Sequence, residues 1–114
     1  LFLGARQDPQ FGTVVLAGIG GTAVEVYKDV AIRMAPLDEA SGLEALSALK
    51  GRALLEGFRG SPPVDREAVA RLLAAFSKAA HDLRGDVESI DLNPVFASPE
   101  GAVIADARLM LFQP

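Results

Sequence analysis

The stretch that decides the fold reads S-I-D-L-N-P-V-F-A over residues 89–97 and A-V-I-A-D-A-R-L-M-L over residues 102–111. Both segments are predicted to be strands. Between them lies S-P-E-G at residues 98–101, and these turn formers predict a hairpin loop. In that hairpin Ala97 pairs with Ala102, and this pair sets the register of every residue further out.

The predicted register brings four polar side chains to one face of the hairpin. Asn93 falls opposite Asp106 and Asp91 falls opposite Arg108, while residues two apart on a strand point the same way. Because directly opposed Cβ atoms lie about 5 Å apart, an amide oxygen and a carboxylate at this spacing could both ligate a hard cation such as Mg²⁺. The same residues could also form a surface hairpin with one Asp–Arg ion pair, which would contribute little stability. Spacing alone leaves both interpretations open.

Composition restricts what can surround this hairpin. The chain has 114 residues, half of them apolar, which fits a single domain with a substantial core. A net charge of -4 argues against a nucleic-acid partner or an anionic membrane surface. The chain has no cysteine, and no apolar run reaches the roughly 20 residues that span a bilayer. We expect a soluble, cytoplasmic protein, and the strand-like first residues suggest a piece of a longer chain.

The remaining elements are short and alternate in kind. Strands are predicted at residues 1–6, 13–17, 23–27 and 30–35. One helix is predicted near residues 38–50 with Asp38 as N-cap, and a second near residues 65–83 with Asp65 as N-cap. Residues 54–61 are interpreted as a loop or short strand. The order ββββααββ predicts an α+β fold in which two helices cover one face of a largely antiparallel sheet.

A glycine-rich segment follows the second predicted strand. The sequence G-I-G-G-T-A at residues 18–23 fits the loose GxGxxA pattern of dinucleotide-binding proteins, which requires a helix directly afterwards. The next residues include Val24, Val26 and Tyr27, which favour a strand instead. The glycines are therefore interpreted as a bent backbone that can approach a phosphate closely, or as a tight strand connection.

Six collinear motifs resemble the ATP-grasp portion of NDP-forming acyl-CoA synthetases, which are relatives of the succinyl-CoA synthetase beta chain. The motifs are D-P-Q-F-G-T-V-V-L-A-G-I-G-G from Asp8, V-E-V-Y-K-D from Val24, I-R-M-A-P-L from Ile32, L-L-E-G-F-R-G-S-P-P from Leu54, I-D-L-N-P-V from Ile90 and A-D-A-R from Ala105. The resemblance implies an ATP-grasp C-terminal lobe. It also implies a ligase that interconverts ATP, a carboxylic acid and CoA with acyl-CoA, ADP and phosphate, through acyl-phosphate and phosphohistidine intermediates.

The resemblance also implies roles for individual residues. Asn93 and Asp106 match the Mg²⁺ ligands of the nucleotide site, in agreement with the hairpin geometry. Asp91 matches the acidic position that faces the incoming phosphohistidine. The residues expected to bind ATP or ADP are Gly18, Gly20, Gly21 and Arg33.

Other parts of such an enzyme are expected outside this segment. The ATP-grasp half that closes over adenine lies upstream of the pattern, and the phosphorylated histidine and CoA-binding domains belong to other segments or another subunit. His81 does not match that histidine. The isolated chain is therefore predicted to be inactive, with the remaining synthetase domains as partners and an oligomer as the full-length form. The alternative is a non-catalytic, ligand-binding regulatory module of a protein acetyltransferase fused to a synthetase-like region.

Overall fold

A computed structural model describes residues 1–19, 29–57, 60 and 62–113, and within them the chain forms two sheets and three helices. The strands are β1 (Phe2–Asp8), β2 (Gly12–Gly18), β3 (Val30–Met34), β4 (Val87–Leu92), β5 (Val95–Ser98), β6 (Gly101–Ile104) and β7 (Ala107–Leu111). The helices are α1 (Glu39–Ser47), α2 (Ala53–Glu56) and α3 (Arg66–Asp82). The strand predicted at residues 23–27 lies outside the described residues.

The larger sheet has the strand order β3-β2-β1-β4-β7, and the recorded strand pairs are all antiparallel. Strand β1 is central. It pairs with β2 through a tight turn, where the Asp8 carboxylate accepts hydrogen bonds from the backbone N–H groups of Gln10 and Phe11 at 2.8 and 2.9 Å. On its other side β1 pairs with β4 from the far end of the chain. The predicted α+β class with a largely antiparallel sheet is confirmed.

Both predicted helix starts are confirmed by their caps. The Asp38 carboxylate accepts a hydrogen bond from the Ser41 N–H at 2.8 Å, and Asp65 does the same for Ala68 at 3.0 Å. The interpretation of residues 54–61 as a loop or short strand is wrong for α2, because a single helical turn is too short to show a period in the sequence. Of the described helices, none is long and apolar enough to cross a membrane.

The core lies between the larger sheet and the helices. The strand residues that face the helices are buried from solvent: Leu3, Ala5, Val15, Ala17, Ile90 and Leu92. Helix α3 contacts β1, β2 and β4 and packs along α1. The two helices approach closely at Gly42, where an added Cβ would lie 2.9 Å from the Ala70 backbone oxygen.

The other side of the larger sheet is called the open face here. Alternation along the strands places Gly4, Leu16, Ile32 and Asp91 on it, each between residues that face the helices. Ile32 is 58% exposed, although it is apolar. Strand β2, which reads as almost continuously apolar, is therefore buried fully on only one of its faces.

The two predicted C-terminal strands are each divided in two. Strands β4 and β7 belong to the larger sheet, whereas β5 and β6 form a separate two-stranded sheet that contacts α3. The division falls at Pro94, which has no N–H group to donate to a ladder. The predicted pairing of Ala97 with Ala102 is confirmed, and the loop is shorter than expected because Ser98 also pairs with Gly101.

Candidate functional site

The polar residues of the C-terminal strands meet at the junction between the two sheets, where β4 ends and β7 begins. Asp91 lies directly opposite Arg108, as the sequence predicts. One step further, the Asn93 N–H donates to the Asp106 carbonyl oxygen at 3.1 Å. The hairpin register therefore continues across the break between the two sheets, and this continuity brings Asn93 and Asp106 together.

An open cleft of about 270 Å³ lies at this junction. Its lining residues are Phe2, Leu3, Asp91, Asn93, Asp106 and Arg108. The three residues for which the sequence suggests metal or phosphohistidine roles thus border one space. Phe2 extends the wall from β1, which the sequence alone does not place beside β4.

Asp91 forms its ion pair with a residue to which the sequence motifs assign no role. Its Oδ1 is 3.3 Å from the Arg6 Nη1 on β1, although Arg108 is its partner in the strand register. Both side chains are about half exposed, so the pair contributes little to stability. The contact engages one of the two carboxylate oxygens of Asp91, Oδ1. Gly4, which pairs with Asp91 across the strands, presents no side chain over that carboxylate.

The donor set of the cleft fits a magnesium ion. Carboxylate and amide oxygens are the ligands that Mg²⁺ prefers, and it commonly uses only one or two from the protein, with water and phosphate completing the octahedron. The Asp106 Oδ1 accepts a hydrogen bond from the Ala107 N–H at 2.9 Å, which orients this carboxylate. Within the described ranges no group of three or more His, Cys, Asp or Glu residues could enclose a metal. Asn93 and Asp106 can supply one amide oxygen and one carboxylate oxygen of this kind.

Gly18 supports the cleft from one side. It ends β2 directly opposite Phe2, and a Cβ at this position would collide with the Phe2 ring. A glycine is needed here so that the ring can lie against the backbone and form part of the cleft wall. Gly20 and Gly21, for which the sequence also predicts nucleotide contacts, lie outside the described residues.

Arg33 lies on the face of the sheet that is turned away from the cleft. On β3, it pairs with the buried Val15 of the neighbouring strand β2. Its guanidinium donates to the Glu44 carboxylate of α1 at 2.7 and 2.9 Å. The hydrogen bonds from Arg33 hold the pKa of the Glu44 carboxyl below its ordinary value. The structure thus brings Asp91, Asn93 and Asp106 together without Arg33, whose nucleotide contact stays a prediction.

Comparison with known proteins agrees with this fold. The family described as ATP-grasp domain matches residues 1–111. The beta subunit of ADP-forming acetate–CoA ligase II from Pyrococcus furiosus is 40% identical over 113 residues, which are 97% of this chain and 48% of that protein. The ADP-forming 4-hydroxybutyrate–CoA ligase of Nitrosopumilus maritimus is 32% identical over 113 residues, with 97% of this chain and 16% of the relative covered.

A solved structure shows the same architecture. The dinucleotide forming acetyl-coenzyme A synthetase 1 of Ca. Korarchaeum cryptofilum, in complex with coenzyme A and Mg-AMPPCP, superimposes with a TM-score of 0.92 at 40% identity. The match covers 97% of this chain and 52% of that chain. In that protein the phosphohistidine segment points towards the nucleotide binding site.

This chain belongs to the ATP-grasp family, and its relatives are ADP-forming acid–CoA ligases in which the domain is part of a larger protein. It spans about half the length of the acetate–CoA ligase beta subunits that it matches. The resemblance stated from the six motifs is thereby confirmed at the level of the family and the fold.

Proposed function

We propose that this chain is the Mg²⁺- and nucleotide-binding lobe of an ADP-forming acid–CoA ligase. The single observation that carries the proposal is the cleft at the end of β4 and the start of β7, which gathers Asp91, Asn93 and Asp106. Two independent considerations lead to these residues: the hairpin register, and the match of I-D-L-N-P-V and A-D-A-R to the family motifs. ATP or ADP is the proposed ligand.

Asn93 and Asp106 are the proposed metal ligands. Asn93 and Asp106 would hold Mg²⁺, which would supply positive charge against the negative charge that develops during phosphoryl transfer. The protein's own contribution is to fix the direction of the two side chains. Pairing of the Asn93 and Asp106 backbones sets their spacing, and the Ala107 N–H orients the Asp106 carboxylate.

Asp91 is proposed to receive the histidine that becomes phosphorylated. A carboxylate can accept a hydrogen bond from the imidazole nitrogen that does not react, which fixes the ring's tautomer and orientation. Arg6 engages Oδ1 of Asp91, and among the described residues Oδ2 has no recorded hydrogen-bond partner. One carboxylate can thus be held by the protein and still accept from an incoming ring.

The histidine, the CoA site and the adenine-covering half are proposed to reside in the remaining synthetase domains, in the same chain or another subunit. The share of the relatives that this chain covers supports this view, because about half of each acetate–CoA ligase beta subunit is unmatched. Those domains would also select the carboxylic acid. Isolated residues 1–114 are accordingly expected to form no acyl-CoA when supplied with ATP, CoA and a panel of acids.

The test uses the complete protein and two isosteric substitutions. Asp106→Asn keeps the shape of the side chain and removes the negative charge of a proposed metal ligand. Acyl-CoA formation should therefore fall strongly, by about 100-fold, and raised Mg²⁺ should restore part of it. Asp91→Asn should leave Mg²⁺·ATP affinity nearly unchanged and slow the appearance of phosphohistidine. Glu100→Gln, in the exposed turn between β5 and β6, removes the same charge outside the cleft. It should change neither acyl-CoA formation nor the rate at which phosphohistidine appears.

Two results would overturn these assignments separately. An unchanged Mg²⁺ dependence in Asp106→Asn removes the metal role, and a normal rate of histidine phosphorylation in Asp91→Asn removes the phosphohistidine role. If the unmodified complete protein binds nucleotide and forms neither phosphohistidine nor acyl-CoA, the regulatory module of a protein acetyltransferase becomes the better description.

A further inference from the structure

Arg108 borders the cleft, and neither the metal role nor the phosphohistidine role uses it. It lies opposite Asp91 and lines the same space as Asn93 and Asp106. The Asp91 carboxylate is nevertheless paired with Arg6. Within the part of the chain that the structure describes, no ion pair joins Arg108 to a carboxylate. Its guanidinium therefore stands beside the proposed metal ligands with donors available for a ligand.

The charges around the cleft favour an anionic ligand at Arg108. Arg6 already offsets the charge of Asp91, and Asp106 is assigned to the metal. Arg108 also lines the cleft, and neither the ion pair of Arg6 with Asp91 nor the metal assigned to Asp106 neutralises its positive charge. A phosphoryl group offers three oxygens in a geometry that the planar guanidinium fork matches with two parallel hydrogen bonds.

We infer that Arg108 binds the phosphoryl group that is being transferred. This inference rests on the proposed function and adds a residue to it. In the transfer, the lone pair of a histidine ring nitrogen forms the N–P bond, and the bridging oxygen leaves on ADP with the electron pair of the broken P–O bond. Arg108 holds non-bridging phosphoryl oxygens through its guanidinium N–H donors. Its position across from Asp91 places it where the histidine and the nucleotide would meet.

Nucleotide discrimination in the complete protein tests the inference. A residue that contacts the transferred group should matter for a non-hydrolysable Mg²⁺·ATP analogue and hardly at all for Mg²⁺·ADP. Arg108→Gln should therefore weaken binding of the analogue about 10- to 100-fold and change ADP binding less than about twofold, as isothermal titration calorimetry can measure. Arg108→Lys keeps a point charge without the fork, so its loss should be intermediate.

Arg84→Gln is the matched control, since it removes an arginine at the end of α3, outside the cleft. It should leave both affinities and the unfolding midpoint unchanged. The midpoint of Arg108→Gln should also stay within about one degree of the unmodified protein, because an exposed side chain contributes little to stability.

A second measurement separates the two carriers of the phosphoryl group. Slower transfer from the phosphorylated enzyme to ADP in Arg108→Gln, with analogue affinity unchanged, places Arg108 on the phosphohistidine. Weakened analogue binding places it on the nucleotide. Equal loss of ATP-analogue and ADP affinity, or no change in either affinity or transfer rate, overturns the inference. An unmodified protein that binds no Mg²⁺·nucleotide overturns the proposed function itself, and the inference with it.

Discussion

The two faces of the larger sheet differ in what they do, although the same strands build both. On the helix-covered face, Leu92 and Ile90 are buried in an apolar core. On the open face, Asp91 lies between them in sequence and borders a polar cleft. Strand geometry separates the two tasks at every second residue. Substitutions on the first face should therefore affect folding, whereas substitutions around the cleft should affect ligand binding with little loss of stability.

The largest effect on stability is expected at Leu92, which is buried on the helix-covered face. Its sequence neighbour Asp91 lies on the open face and serves as the comparison. Leu92→Ala should lower the free energy of unfolding by about 2 to 5 kcal/mol, because it removes buried methyl groups and leaves a cavity. Asp91→Asn, one residue earlier, should change it by less than about 1 kcal/mol, since its ion pair with Arg6 is exposed. Urea unfolding of the purified chain, followed by circular dichroism, would measure both. Equal losses would contradict the division between the faces.

A second prediction concerns the close contact between α1 and α3 in the helical layer, where packed and unpacked positions can be compared. Gly42→Ala should destabilise the chain by about 1 to 3 kcal/mol, because the new Cβ would meet backbone atoms of Ala70 that cannot move independently. Gly85→Ala is the control, since an added Cβ there meets no atom within 4 Å. If Gly42→Ala instead raised the urea midpoint, the helix packing described for this layer would be wrong.

A smaller effect is expected at the start of α3. Asp65→Ala removes the acceptor for the Ala68 N–H and should cost about 1 kcal/mol. Asp65→Asn retains a side-chain oxygen and should lose much less. Urea midpoints of the two variants would separate capping from charge, and similar losses in both would show that the charge, rather than the hydrogen bond, stabilises the helix.

The smallest effect is a dependence of stability on acidic pH. Arg33 lowers the pKa of Glu44 chiefly by hydrogen bonding, and the backbone N–H of Ser41 does so for Asp38. A carboxyl whose pKa is depressed in the folded state stabilises the fold above its ordinary value and loses that contribution as pH falls through the folded value. The ordinary values are 4.5 for Glu44 and 3.8 for Asp38.

The urea midpoint should therefore stay level above about pH 5 and decline below it as these carboxyls become protonated. Glu44→Gln provides the comparison. The stability difference between this variant and the unmodified chain should shrink towards zero in strong acid. A difference that grows on acidification would reverse the sign of the argument.

The cleft could be predicted largely from local sequence, since the turn S-P-E-G and the residues around it set one register for the whole hairpin. That register holds on both sides of Pro94, so the pairing of Asp91 with Arg108 was predictable. The break into two sheets was signalled by Pro94 itself, whose missing N–H interrupts a ladder. The predicted four-residue loop overlooked the pairing of Ser98 with Gly101.

Contacts between distant segments were not predictable in the same way. The ion pair of Arg6 with Asp91 depends on β1 lying beside β4, and no turn or spacing in the sequence fixes that neighbour. Arg33 alternates with apolar residues, so its side of the sheet depends on where the helices dock; it faces Glu44 rather than the cleft. Both arginines follow apolar residues on their strands, so this pattern does not by itself indicate the contact of Arg6 with Asp91.

Metal binding in the complete protein tests the central claim most directly. Mn²⁺, which accepts the same oxygen ligands as Mg²⁺, can be titrated in the presence of ADP while electron paramagnetic resonance reports the free ion. We expect one nucleotide-dependent Mn²⁺ per chain, and an affinity at least about tenfold weaker in Asp106→Asn, with the unfolding midpoint unchanged. Mn²⁺ affinity that is the same in Asp106→Asn as in the unmodified protein would contradict the assignment of the open-face cleft as the metal and nucleotide site.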